Sequence, residues 1–259
     1  MTVSVQRTVI ALIAFFTIAD SFPAAVDPEA GRLHIPPSGS VDAAATTGLQ
    51  RLGLGGLHGG LLYIPKGYRP SEPLPLLVLL HRAEGTSANW FSGGHRETPG
   101  SYATRADTGR FIVLAPDAPA TTWGIGPRAF GNDVASINRA IAAAFARCAI
   151  DRNRIAIGGF SDGASYALSL GLANGDLIKS ILAFSPGFIV RAPGRGRPAI
   201  FISHGREDFI LPIDTASRLF VRQLKKNGYT IDYHEFEGQH EVPAAISEQA
   251  IAWLKAQWR

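Results

Sequence analysis

The amino-acid sequence predicts an α/β domain built on a single, mostly parallel sheet with helices on both faces. Three observations lead there. LPLLVLLH (residues 74–81), FIVLAPD (111–117), SILAFSP (180–186) and AIFISHG (199–205) are unbroken apolar runs, the mark of strands covered on both sides. Stretches of helical period alternate with runs of this kind through most of the chain. The 259 residues also contain no internal repeat or evident linker, and that length suits one well-packed domain.

In chain order, residues 1–25 read as an export signal. MTVSVQR carries one positive charge, TVIALIAFFTIA is apolar but too short to span a membrane comfortably, and SFPAA supplies small residues. The domain is expected over 26–259, opening with a polar, glycine-rich approach up to about residue 53 that lacks a clear period. GGLLYIPKGY suggests a strand ending at Pro65, followed by the strands at 74–81 and 111–117. NDVASINRAIAAAFARCAI has apolar residues at helical spacing, with Asn132 as its N-cap. RIAIGGF is a further buried strand, and residues 162–171 a helix. After the strands at 180–186 and 199–205, a helix is expected from Pro212 to Gly228. TIDYHEF (230–236) alternates like an edge strand, and VPAAISEQAIAWLKAQW forms the last helix.

Composition narrows the function. The single cysteine, Cys148, excludes an intramolecular disulfide framework and a multi-cysteine zinc site, and its place near a helix end suits simple packing. The net charge of +4 is scattered. Its densest patch, RAPGRGRP (191–198), is broken by glycine and proline and has no interleaved aromatics, so nucleic acid is not an expected partner. No stable membrane insertion is expected after processing, and the product should be exported, periplasmic or extracellular.

Chemistry in such a sheet collects beyond the carboxyl ends of the strands. His81, Ser161, Asp208 and His240 all fall there. Ser161 stands in GGFSDGAS between an apolar strand and a helix, and a neutral serine needs a base and a group to orient that base. His240 can be the base and Asp208 its carboxylate, in the chain order serine, acid, histidine. Side chains at 159 or 163 would crowd the turn, and the Asp162 amide at the helix start can face a developing oxyanion. Each assignment has a plainer competitor. Glu207 is the rival acid, His234 and His204 read as packing or strand-end residues, and the Asp162 carboxylate as helix N-terminal charge.

On YIPKGY, LPLLVLLH, FIVLAPD, GGFSDGAS, FSPGF, HGREDFILPI and the Phe236–His240 stretch, the chain from about Gly60 onward resembles the α/β-hydrolase superfamily. More narrowly it is similar to bacterial esterases of the phospholipase/carboxylesterase and polyhydroxybutyrate-depolymerase groups. The resemblance implies serine-dependent hydrolysis of a carboxylic ester with Ser161, Asp208 and His240 as triad, and no metal or organic cofactor. The expected partner is a small-molecule ester of short or medium acyl chain, with phospholipid, phenolic ester and polyester left open. Trp123 and Phe188 are candidates to line the substrate pocket.

One segment departs from the family pattern. A glycine-rich H-G-x-G-G-like loop is usual after the first long strand, whereas this chain has His81-Arg82-Ala83-Glu84-Gly85-Thr86. Either replacement would be strained in a glycine-only conformation. An amide of Arg82 or, preferably, Ala83 remains available as the second oxyanion donor. A Glu84 carboxylate in the pocket would oppose the anionic intermediate, but one paired with Arg82 would be harmless. The loop makes a weakly active or inactive binding relative one alternative; the other, since the same triad can pass an acyl group to an alcohol instead of water, is an acyltransferase.

Overall fold

The computed structural model describes residues 29, 31–37, 46–54, 59–92, 101–124, 130–190 and 192–259. The expected export signal lies outside them. The strands are β1 (Gly48–Arg51), β2 (Leu61–Ile64), β3 (Leu74–Leu80), β4 (Ile112–Ala115), β5 (Ile150–Phe160), β6 (Ser180–Phe184), β7 (Ala199–Gly205) and β8 (Ile231–Phe236). The helices are α1 (Tyr102–Gly109), α2 (Asp133–Arg147), α3 (Asp162–Ala173), α4 (Ser217–Lys226) and α5 (Ala244–Gln257), with a short 3-10 turn at Ser87–Trp90.

The strands form one eight-stranded sheet in the order β1-β2-β4-β3-β5-β6-β7-β8. The β1–β2 and β2–β4 pairs are antiparallel and every other pairing is parallel. The unbroken apolar run of β3 divides by alternation. Leu76, Val78 and Leu80 join the core that contains Ile137, Ile141, Leu168 and Leu224 of α2, α3 and α4. Leu77 and Leu79 join the core that contains Tyr102, Ala106, Ile251 and Leu254 of α1 and α5. Burial on both faces explains why neither β3 nor α3, buried from Gly163 to Ala173, shows a polar side.

Several boundaries differ from the sequence reading. The helix expected from Pro212 begins at Ser217, because residues 213–216 form turns and Ala216 at φ −114°, ψ −109° is not helical. Asn132 does occupy the N-cap position of α2, but its side chain makes no capping bond. The N-terminal approach contributes more than a tether. It supplies β1, and Leu33 is buried with its amide donating to Asn174 Oδ1 (2.9 Å) while Arg32 pairs with Asp176 (2.7 Å).

Candidate active site

The turn from β5 into α3 rests directly on the end of β3. A Cβ at position 159 would lie 2.4 Å from the Gly163 carbonyl oxygen, and one at 163 would lie 2.3 Å from that of Leu80. Only glycine permits this approach. It forces Ser161 to φ 58° and ψ −119°, a conformation L-residues avoid. The turn is held by the Ser161 amide donating to the Phe184 carbonyl (2.9 Å) and by the Ser165 amide and hydroxyl both donating to the Ser161 carbonyl (3.0 Å each).

Three loops at the carboxyl edge of the sheet converge on this serine. His240 Nε2 lies 2.8 Å from Ser161 Oγ, and His240 Nδ1 lies 2.6 Å from Asp208 Oδ2. The other carboxylate oxygen of Asp208 accepts the amides of Ile210 (3.0 Å) and Leu211 (2.8 Å). Burial would push the Asp208 carboxyl up. The hydrogen bonds from His204, His240 and the Leu211 amide outweigh it and hold the group well below the usual carboxylate range. With Asp208 ionised, Nδ1 of His240 carries the hydrogen, which leaves Nε2 free to accept the serine proton. The His240 ring also packs on Phe160, with centroids 4.7 Å apart. Its loop is drawn in at Gly205, where a Cβ would meet the Gln239 carbonyl oxygen at 2.2 Å.

The rival residues sit elsewhere. Glu207 is exposed, its amide spent on the Gly238 carbonyl. His234 stacks on Phe201 and approaches Asp232. His204, in contrast, is fully buried against Asp208 itself, with Nε2 3.1 Å from Oδ2. Its place at the end of β7 does not by itself announce this contact. The only available signal was its position in HGREDF, four residues before the acid.

Around the serine, the Asp162 amide opens α3 and has no partner within the helix. Its carboxylate is engaged by Thr122 Oγ1 and by the Trp123 amide (2.9 Å). Burial raises that carboxyl, against the opposing effect of these two donors. In the departing loop, Arg82 donates to the Ala83 carbonyl (2.8 Å), and the Gly85 amide closes a turn onto the Arg82 carbonyl (3.0 Å). The Ala83 amide meets no acceptor among the described residues. Glu84 is exposed and takes φ 58°, the strained geometry expected of a glycine replacement, with its amide pinned to the Thr121 carbonyl (2.6 Å). A cavity of about 830 Å³ opens beside this loop; Glu84, His81, Asp117 and Arg139 are in its described lining, and the Ser161–His240–Asp208 chain is not.

The two pocket candidates separate. Trp123 has no exposed surface: its Nε1 donates to the His81 carbonyl (2.7 Å) and its ring stacks on Tyr166. It is a packing residue beneath the His81 loop, which corrects the expectation that it lines the pocket. The indole N–H and ring found partners inside, so burial won over a place at the surface. Phe188 is half-buried in the loop after β6, next to Gly187, whose amide donates to Ser165 Oγ (2.8 Å).

A mainly parallel sheet carrying a serine at a strained strand–helix turn, with a histidine and a carboxylate delivered to it by later loops, defines the α/β-hydrolase class. Residues 128–257 match the phospholipase/carboxylesterase family, and the chain belongs to that family. It is 28% identical over 169 residues to feruloyl esterase C of Emericella nidulans, covering 65% of this chain and 61% of that protein. The chain thus spans less than two thirds of that relative's length. Among solved structures it is similar to esterase PE8 (22% identity, TM-score 0.56, covering 76% of this chain and 97% of that one). It is also similar to a ferulic acid esterase (17%, TM-score 0.61, 77% and 92%) and to S-formylglutathione hydrolase from Staphylococcus aureus (14%, TM-score 0.59, 76% and 92%). At these identities the structural likeness speaks to the fold.

Proposed function

We propose that this chain is a serine hydrolase of carboxylic esters, with Ser161 as nucleophile, His240 as general base and acid, and Asp208 as the carboxylate that orients the imidazole. The observation that carries this reading is the continuous hydrogen-bonded chain from Ser161 Oγ through His240 to Asp208 at the helix start. In the first half-reaction His240 Nε2 takes the hydroxyl proton as Ser161 Oγ attacks the ester carbonyl, and Asp208 stabilises the imidazolium. The amides of Asp162 and of Ala83 or Arg82 receive the oxyanion. His240 then gives its proton to the leaving alkoxide, which departs as alcohol and leaves an acyl-serine. Water, deprotonated by His240, attacks that acyl group. Collapse of the second intermediate releases the acid and returns the proton to Ser161.

The Arg82–Glu84 departure is compatible with turnover, because the strained residue is held by Thr121 while the Ala83 amide meets no acceptor among the described residues. The acyl group is proposed to be short or medium. A phenolic acyl ester is a second reading, favoured by the 28% identity to a protein named feruloyl esterase C. Residues 1–25 are proposed as the signal that carries the enzyme out of the cytoplasm.

The test is hydrolysis of p-nitrophenyl acetate and butyrate and of methyl ferulate by the purified mature chain, with Ser161→Ala alongside. Turnover that falls by roughly 10⁴-fold or more in the variant supports the serine mechanism. Ester preference then selects the acyl class. Equal rates in the two proteins would exclude these esters as substrates of Ser161 and favour the binding-protein alternative.

A further inference from the structure

Asp208 Oδ2 is approached by two imidazoles, and only one of them faces the serine. His204 Nε2 lies 3.1 Å from that oxygen and 2.8 Å from the Leu211 carbonyl, while its Nδ1 lies 2.7 Å from Ser217 Oγ. All three side chains are buried. Both neighbours of Nε2 are acceptors, so that nitrogen carries a hydrogen; the Leu211 carbonyl takes its shorter bond, Asp208 Oδ2 is the second and longer contact of the same N–H, and the Ser217 hydroxyl is left to donate to Nδ1. Leu211 closes the arrangement, since its amide holds Asp208 Oδ1 and its carbonyl holds His204. Charged groups beside His204 come from β8, α4 and the loop after β7. Glu235 is the strand neighbour of His204, and its carboxylate is occupied by Arg206 and Arg218.

We propose that His204 is a positioning residue for the triad, an inference that rests on the serine-hydrolase reading above. Its Nε2–H fixes the rotation of the Asp208 carboxylate. It also draws on the same oxygen that binds His240 Nδ1–H, and so weakens the pull of Asp208 on that proton. The ring never touches substrate. Two polar variants separate its roles. In His204→Asn the amide ends where Nδ1 was, near Ser217, and falls short of Asp208. In His204→Gln the amide reaches as far as the lost Nε2–H.

The closing experiment follows the His240 Cε1–H resonance against pH by NMR in a Ser161→Ala background, with kcat and KM measured in the Ser161 protein. His204→Asn is expected to move the His240 midpoint upward by about half a pH unit or more, because Oδ2 becomes a stronger acceptor. It is expected to lower kcat by about tenfold with little change in KM. His204→Gln should restore both. Coincident titrations in His204→Asn and the parent would overturn the assignment, as would a His204→Gln variant that matches His204→Asn in midpoint and kcat. If the parent turns over no ester, the hydrolase reading falls on its own, since the NMR comparison needs no turnover.

Discussion

Ser161 and Glu84 both hold positive φ without being glycine, at 58° each. Such conformations cost on the order of 1–3 kcal/mol and persist only where neighbours over-determine them. At Ser161 the restraint is the Phe184 carbonyl on one side and Ser165 on the other. At Glu84 it is the Thr121 carbonyl. The second strain serves no bond of the Glu84 side chain among those described, so Glu84→Gly is expected to stabilise the fold by up to about 1 kcal/mol, read from urea unfolding midpoints. A lower midpoint would mean that the carboxylate contributes more than the backbone loses. Residue types, chain order and strand ends were enough to single out Ser161, Asp208 and His240, the three side chains that the fold brings into one hydrogen-bonded chain. The role of His204 was not legible, because a histidine before glycine at a strand end looks the same whether it packs or aims at an acid.

At the scale of elements, the β5–α3 turn and the end of β3 form one unit, closed by two missing side chains. Gly163→Ala would place a methyl 2.3 Å from the Leu80 carbonyl oxygen and 2.4 Å from that of His81, both backbone atoms. The helix start must move away, carrying Ser161 and the Asp162 amide with it. The expected result is a loss of about 1–3 kcal/mol in stability. A further loss of activity should exceed what the unfolded fraction explains, measured as kcat per folded protein. Elements with a continuous apolar run or a strong helical period were readable, including β3, β4, β6, β7 and α2. α1 was not anticipated, since half of its residues are polar and the clues reduce to the Ser101 cap and the buried pair Tyr102 and Ala106. The start of α4 was misplaced because proline is as good a turn residue as a first helical one, and the turn through Ala216 prevailed.

Across the whole molecule, strand order was beyond sequence periodicity, which gives strands but not neighbours. It is order that sets β5, β7 and β8 close enough for their loops to meet. The outer pair is further tied by Glu235, which Arg218 and Arg206 hold down to about 2 against the opposing effect of burial. An unfolded glutamate titrates near about 4.3. The stabilisation from Glu235 is therefore complete above the unfolded value and lost as pH falls toward about 2. Glu235→Gln should lower the melting temperature at pH 7 by about 2 °C or less, since the arginines are solvent-screened, and the gap between the two proteins should close on acidification. A constant gap from pH 7 to pH 2.5 (roughly the span of that titration) would argue that shape rather than charge is at stake.

β8 is one of the two border strands, paired among the described strands with β7 alone and nowhere fully buried, yet the loop that follows it carries His240. A sheet frays from its borders inward, and opening at one edge needs far less free energy than melting the middle. Detaching β8 would carry off His240, the base of the proposed mechanism, while Ser161, anchored between β5 and β6, stays in place. Warmed gently, such a molecule falls silent before it comes apart, and on cooling it can recover without refolding its centre.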